Sequence, residues 1–321
     1  MESLKNDDEE LTEMSKWSRE MKMFSELAGP GSKTAERVVN LRASESQKPE
    51  GERICYDPYA IYFMSPGILE WAVRNPEKVK EIQETNERIL PGLDNSIIAR
   101  VRYFDDFIMK SIDEGLEQLV ILGAGYDSRP YRIGGLERIK TFEVDHPGTQ
   151  AVKIEKVKKI FGSLQDHVVF VPVNLGVEDL GQKLLEKGYD RSLKTLFIME
   201  GLLMYLSPET VDDIFSFIAK NSGKGSAILF DYYIQSVVDG SCELLAGKNI
   251  HNQLVQLGEP LKFGINEGAV ETFLESRGFS RVHNVISEDL KRDYFCGTNA
   301  GRAVCSLHSL AYAVVDKKRE P

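Results

Sequence analysis

The sequence predicts an α/β fold: a doubly wound, mostly parallel sheet with an N-terminal helical extension and an inserted lid. Three observations carry this. From residue 118 onward short apolar runs recur, several ending in glycine or a polar residue, as strands buried on both faces do. Segments with helical apolar spacing lie between the runs, and strand–helix alternation implies right-handed crossovers. The 321 residues can bury such a sheet between two helical layers, and 42% hydrophobic and 9% aromatic residues is ordinary for a globular chain.

The elements follow in order. Residues 1–50 are polar and helix-prone; Leu11, Met14, Met21 and Phe24 recur near helical spacing with Trp17 nearby, and Gly29-Pro30-Gly31 breaks that helix. Tyr56-Asp57-Pro58-Tyr59 opens a second helix to about Val73. Residues 94–114 give the clearest amphipathic helix, with Ile97, Val101, Phe104 and Ile108 on one face, Asp94 or Asn95 as cap and Gly115 as stop. Residues 1–93 thus read as a helical cap and 94–321 as the α/β domain. Strands are predicted at 119–122, 141–145, 168–173, 196–199 and 227–230, with helices at about 148–161, 177–187 and 208–220. Ser207 caps the last of these, with Pro208 in its first turn. Residues 235–265, with Gly240, Gly247, Gly258 and Gly264, read as an irregular insert or lid. A helix near 266–277 and strands at about 281–287 and 309–315 complete the pattern.

Composition excludes some functions. Forty basic against fifty acidic residues give a net charge of −10, which repels a polyphosphate backbone, so no nucleic acid is expected as partner. No run reaches the roughly 18 apolar residues of a membrane span. The start, Met1-Glu2-Ser3 followed by acidic residues from Asp7 to Glu10, is unlike a secretory signal. Cys55, Cys242, Cys296 and Cys305 form no C-x-x-C pair, so no zinc or other metal site is expected, and scattered thiols suit a cytoplasmic protein.

In such sheets a ligand lies beyond the carboxyl ends of the strands. The first strand delivers Gly123-Ala124-Gly125, where glycines let the backbone turn sharply and approach a ligand. Asp127-Ser128 offers caps for a following helix. The second strand ends at Asp145, 20 residues past Gly125, the spacing of an acid that accepts hydrogen bonds from a ribose. The third ends at Asn174 and the fourth at Glu200-Gly201. A structural turn also explains a lone G-x-G pair; the spaced acid shifts the balance to a nucleoside. A dinucleotide fingerprint would place a third glycine at Ser128, and Pro130 with Gly134-Gly135 keeps any helix there too short for a pyrophosphate, so the pattern leans away from NAD. Arg100 lies on the flank of the amphipathic stripe while Arg102 faces solvent; a flank arginine reaches inward to a carboxylate or covers apolar surface with its stem.

Ala99-Arg100-Val101, Val120 through Arg129, Phe142-Glu143-Val144-Asp145 and Glu200 through Leu206 resemble the leucine carboxyl methyltransferase family, over most of the chain from about Thr34. The resemblance implies a Rossmann-like methyltransferase fold with S-adenosylmethionine as cofactor. By position it implies Arg100 at the cofactor carboxylate, Gly123 beneath the methionine part, Asp145 at the ribose hydroxyls, Asn174 and Leu175 at the adenine, and Glu200 at the methionine amino end. Arg42 corresponds loosely to a second basic ligand. The family carries Asp-Leu where this chain has Asn174-Leu175; asparagine keeps an acceptor oxygen, so retained but weaker affinity is expected.

The expected reaction is methyl transfer to a carboxylate or hydroxyl of a small molecule or peptide C-terminus. Two alternatives stay open, an NAD-dependent oxidoreductase and a non-catalytic nucleoside-binding module. A carboxylate nucleophile needs no base; for a hydroxyl, neither His146 nor His251 has a sequence-evident partner, and no catalytic base is assigned. Tyr205 could line the pocket or simply pack. Residues 1–75 and 235–265 are expected to set the acceptor, with Tyr56, Tyr59, Tyr62 and Phe63 as aromatic walls or ordinary core.

Overall fold

The computed structural model describes residue 17, residues 19–20, 22–24, 26–27 and 32–316. The expected contributions of Leu11, Met14 and Met21, and the Gly29-Pro30-Gly31 break, lie outside the described residues. Trp17 is helical and buried, and Phe24 meets Trp71 edge-on with centroids 5.1 Å apart.

Among the described residues seven strands form one sheet: β1 Gln118–Leu122, β2 Lys140–Asp145, β3 Val168–Pro172, β4 Thr195–Met199, β5 Ala227–Tyr233, β6 Phe279–Val285 and β7 His308–Val315. Their order is β3-β2-β1-β4-β5-β7-β6. The first five are joined by parallel pairs, and β7 runs antiparallel to both β5 and β6. With β7 removed, the remaining order is that of nucleotide-binding doubly wound sheets, whose chain reversal falls between β1 and β4. The sheet is therefore mostly parallel, as the sequence predicts.

Besides the helical residues described between 17 and 27, the α-helices among the described residues are α1 Lys33–Ser46, α2 Ala60–Phe63, α3 Pro66–Arg74, α4 Pro76–Ile89, α5 Leu93–Asp113, α6 Arg129–Arg132, α7 Pro147–Phe161, α8 Leu180–Glu186, α9 Pro208–Lys220, α10 Gln235–Val238, α11 Leu245–Gln256, α12 Val270–Glu275 and α13 Ser287–Tyr294. Strand alternation divides the core into two layers. Val120, Leu122, Phe142, Val144, Phe197 and Met199 pack with Val211, Ile214, Phe215 and Ile218 of α9. Leu119, Ile121, Leu196 and Ile198 pack on the other face with Val101, Phe104 and Ile108 of α5. Burying one such side chain contributes about 1.5–3 kcal/mol, so these two faces fix the position of the strand ends.

Several expected boundaries are corrected. The helix expected from Tyr56 to Val73 is two helices, because Pro66 lacks an N–H and pushes Ser65 to extended geometry at ψ 133°. Helix α5 starts at Leu93 with Gly92 as its cap in the left-handed region at φ 70°, not at Asp94 or Asn95. A Cβ at Gly92 would lie 2.7 Å from Val304 N, so only glycine fits there. Asp94 instead pairs with Arg37 at 2.7 Å, and the Asn95 amide donates to Ala303 O. Helix α8 is shorter than expected, capped by Asp179, which accepts from Gln182 N. The insert is not irregular throughout, since it carries α10 and α11. No described helix is long and apolar enough to cross a membrane.

Candidate functional site

A cavity of about 420 Å³ opens at the carboxyl ends of β1, β2 and β4, under a roof made by α1 and residues 258–262. Six of the eight expected site residues line it: Arg42, Arg100, Gly123, Gly125, Asp145 and Glu200. Asn174 and Leu175 do not. Asn174 is exposed beyond β3, where its N–H donates to Glu178 Oε2 at 2.9 Å.

The turn after β1 needs its glycines. Gly123 and Gly125 have φ of 67° and 41°, and a Cβ on Gly123 would lie 2.9 Å from Leu202 Cδ1. Asp145 ties this loop to β2: its Oδ2 accepts from Gly125 N at 2.5 Å and its Oδ1 from His146 N at 2.6 Å. Burial raises the Asp145 pKa and outweighs these bonds. The loop also rests on a buried ion pair, Lys153 Nζ to Glu143 Oε2 at 2.8 Å. Burial pushes Glu143 up to about 7 against the pull of Lys153. Asp127, one residue before the cap position of α6, accepts from Arg129 N at 2.8 Å; Ser128, at that position, donates to Asp57 Oδ2 and makes no cap bond. Helix α6 is only one turn, as the sequence predicts.

Beneath the cavity lies a network of charges. Arg100 reaches inward from α5, one of the two readings that its flank position left open; its Nε donates to Glu200 Oε1 at 3.0 Å and its Nη1 to Asp231 Oδ2 at 2.7 Å. Its Nη2 donates to none of the described residues. Glu200 Oε2 accepts from Arg129 Nη1 at 2.6 Å, and Arg129 also holds Asp127 and Asp105, each at 2.7 Å. Asp231 is fully buried and further accepts from Gly201 N at 2.6 Å and from His308 Nε2 at 2.7 Å. Burial alone would raise the Asp231 carboxyl; the Arg100 charge and the His308 bond outweigh it and hold it at about 2. Arg42 Nη2 donates to Tyr126 O at 2.7 Å, while its buried Nε has no partner among the described residues.

The remaining expectations resolve as follows. Tyr56, Tyr59, Tyr62 and Phe63 do not line the cavity. Tyr62 is 62% exposed, Tyr59 packs on Phe161, Phe63 is buried with Tyr126, and Arg53 lies over the Tyr56 ring. The aromatic lining comes from Tyr126, Tyr205 and Tyr233. His146 lines the cavity with Nδ1 accepting from Gly148 N at 3.2 Å; His251 Nδ1 lies 3.2 Å from Val237 O, away from it. Arg102 is exposed and pairs with Asp106. Sequence reasoning missed Asp231, Arg129 and His308. Asp231 was within reach of the strand-end rule, because it directly follows the strand expected at 227–230, as Glu200 follows that at 196–199.

The comparisons agree with this geometry. The family model for leucine carboxyl methyltransferase matches residues 35–219. A relative from Mycolicibacterium smegmatis is 31% identical over 258 residues, covering 79% of this chain and 83% of its own; its name gives it provisionally as an S-adenosyl-L-methionine-dependent methyltransferase. YktD from Bacillus subtilis, provisionally named likewise, is 28% identical over 234 residues, covering 71% and 77% of the two chains. A solved structure from Thermobifida fusca, titled as a provisional methyltransferase, superposes with a TM-score of 0.57 over 90% of this chain and 96% of its own at 12% identity, which shows the shared fold. The chain is a member of the leucine carboxyl methyltransferase family, a family of S-adenosylmethionine-dependent methyltransferases.

Proposed function

We propose that the protein moves the methyl group of S-adenosylmethionine to an oxygen nucleophile, a carboxylate or a hydroxyl, on a small molecule or a peptide C-terminus. The observation that carries this reading is the bond joining Gly125 to Asp145, which opens a glycine cradle and a nucleoside-spaced acid into the cavity that Arg100 and Glu200 also line. The residues fit the cofactor. Arg100 keeps Nη2 and Arg42 keeps a buried Nε for its carboxylate, and Glu200 suits its ammonium. Gly123 would lie under the methionine part, and Asp145 would take the ribose hydroxyls. Asn174 and Leu175 would flank the adenine from just outside the cavity. The single turn of α6 gives no long helix for a pyrophosphate, which speaks against NAD.

When bound, the cofactor supplies an electrophilic methyl group. The protein's task is alignment and exclusion of water. Arg100 is immobilised by two carboxylates, and Glu200 by two guanidiniums, so both present fixed charges with little reorganisation. Residues 1–93 act as a cap, with α1 in the roof of the cavity, and residues 1–75 and 235–265 select the acceptor. A cytoplasmic location belongs to the same reading.

The test uses methyl-labelled S-adenosylmethionine with carboxylic acids, alcohols, phenols and peptides ending in leucine. Label on an acceptor oxygen is expected. Label found only on nitrogen or sulfur acceptors overturns the reading.

A further inference from the structure

We propose that Lys153 is a positioning residue for the cofactor: its buried ammonium and the Asp145 carboxylate clamp the two ends of the Ala124–Gly125 peptide and hold the glycine loop in the one orientation that receives S-adenosylmethionine. This rests on the cofactor site proposed above and adds to it a residue from outside the cavity.

Lys153 stands on α7, which Gln150 fastens to β2 by donating to Glu143 O at 2.9 Å. A lysine is almost never fully buried unless paired, and Lys153 is 1% exposed. Its ammonium meets Glu143 Oε2 at 2.8 Å and Ala124 O at 3.4 Å. The second contact is long for a hydrogen bond, so the attraction is chiefly that of a charge for a carbonyl dipole, and burial strengthens it. Ala124 O and Gly125 N belong to one peptide group. That peptide is trans, so its C=O and N–H point to opposite sides. Lys153, which does not line the cavity, holds the first; Asp145, which does, holds the second at 2.5 Å through Oδ2. The Ala124 N–H also donates to Val144 O at 3.1 Å, which fixes the peptide before it.

A peptide beside glycine turns over easily, because no Cβ resists the change of backbone angle, and Gly125 has φ 41°. Turned over, this peptide would set its carbonyl against the Asp145 carboxylate, acceptor against acceptor. Its N–H would face the Lys153 ammonium, donor against donor. The clamp excludes that arrangement. Lys153 also acts on Asp145 through space. Burial raises the Asp145 pKa; the Gly125 and His146 N–H bonds, and then the Lys153 charge, pull against it. That pull favours the ionised acid, which accepts from ribose hydroxyls.

The test is a double-mutant cycle of wild type, Lys153→Met, Glu143→Gln and the two changes together. Each protein is measured at pH 7 by urea unfolding and by titration calorimetry with S-adenosylhomocysteine. Methionine fills the space of the lysine stem without its charge. Losing the ammonium strands no carboxylate, because burial already pushes Glu143 up to about 7 and it takes a proton. The expected result is S-adenosylhomocysteine bound about tenfold or more weakly by Lys153→Met and by the double variant alike. Glu143→Gln should stay within about threefold of wild type, since its ammonium still faces Ala124 O. The loss thus follows Lys153 and not the unfolding midpoints. The double variant carries the test where Lys153→Met alone does not fold. Affinity kept by Lys153→Met, affinity regained in the double variant, or an equal loss in Glu143→Gln overturns the inference and leaves the cofactor site standing. Wild type that binds no S-adenosylhomocysteine overturns both.

Discussion

Replacing Asp231 with asparagine keeps the shape at the end of β5 and removes one charge. The native carboxylate is fully buried and accepts from Arg100, Gly201 and His308. Its pKa lies at about 2 against an ordinary 3.8. A drop of nearly two units corresponds to about 2.4 kcal/mol of folding stability at neutral pH. The sign follows from the lowered value: this stability is present above pH 3.8 and is lost as pH falls through 2. Roughly half of it, about 1.3 kcal/mol, should remain at pH 3. With an unfolding entropy of about 2.1 cal/mol/K per residue over 321 residues, the loss at pH 7 lowers the melting temperature by about 4 °C. The assay is urea unfolding of wild type and Asp231→Asn at pH 7 and pH 3. A gap between the two proteins that does not shrink at pH 3, or no gap at pH 7, would refute the electrostatic account of this network.

Three further outcomes are expected. Gly123→Ala forces a Cβ to 2.9 Å from Leu202 Cδ1 at φ 67°, and should cost about 1 kcal/mol or more and weaken S-adenosylhomocysteine binding in calorimetry. Glu143 is held at about 7 against an ordinary 4.5. Its raised value means that stability present below pH 4.5 is lost as pH rises through 7, at most about 3 kcal/mol, so Glu143→Gln should flatten the melting curve's pH dependence in that window. Asn174→Asp should tighten S-adenosylhomocysteine severalfold if this position meets the adenine amino group; unchanged affinity removes Asn174 from the site.

Strand positions were legible because apolar runs such as Leu119 to Leu122 have no other use for four buried residues in a row. Asp145 and the glycine loop were legible because their chemistry follows from spacing along the chain. Arg100 was legible as a flank residue able to turn inward, but neither its choice of direction nor its partners were. Asp231 lies 131 residues away in sequence and is brought beside it only by sheet order. Helix α4 escaped notice because Ile82 and Ile89 are its only buried aliphatics, too few to mark a stripe. The split at Ser65-Pro66 was written in the sequence, but the aromatic-rich stretch from Tyr56 suggested one continuous helix. Those aromatics were left between cavity wall and core for a related reason: an aromatic that faces the core and one that faces a cavity look the same without the third dimension.

The central claim is that the cradle of Gly123, Gly125 and Asp145 belongs to S-adenosylmethionine. It is tested most directly by titration calorimetry of S-adenosylhomocysteine and of NAD into wild type and Asp145→Asn. The expected result is binding of S-adenosylhomocysteine alone, weakened tenfold or more, about 1.4 kcal/mol, in the variant. Binding of NAD instead, or S-adenosylhomocysteine affinity indifferent to Asp145, would contradict it.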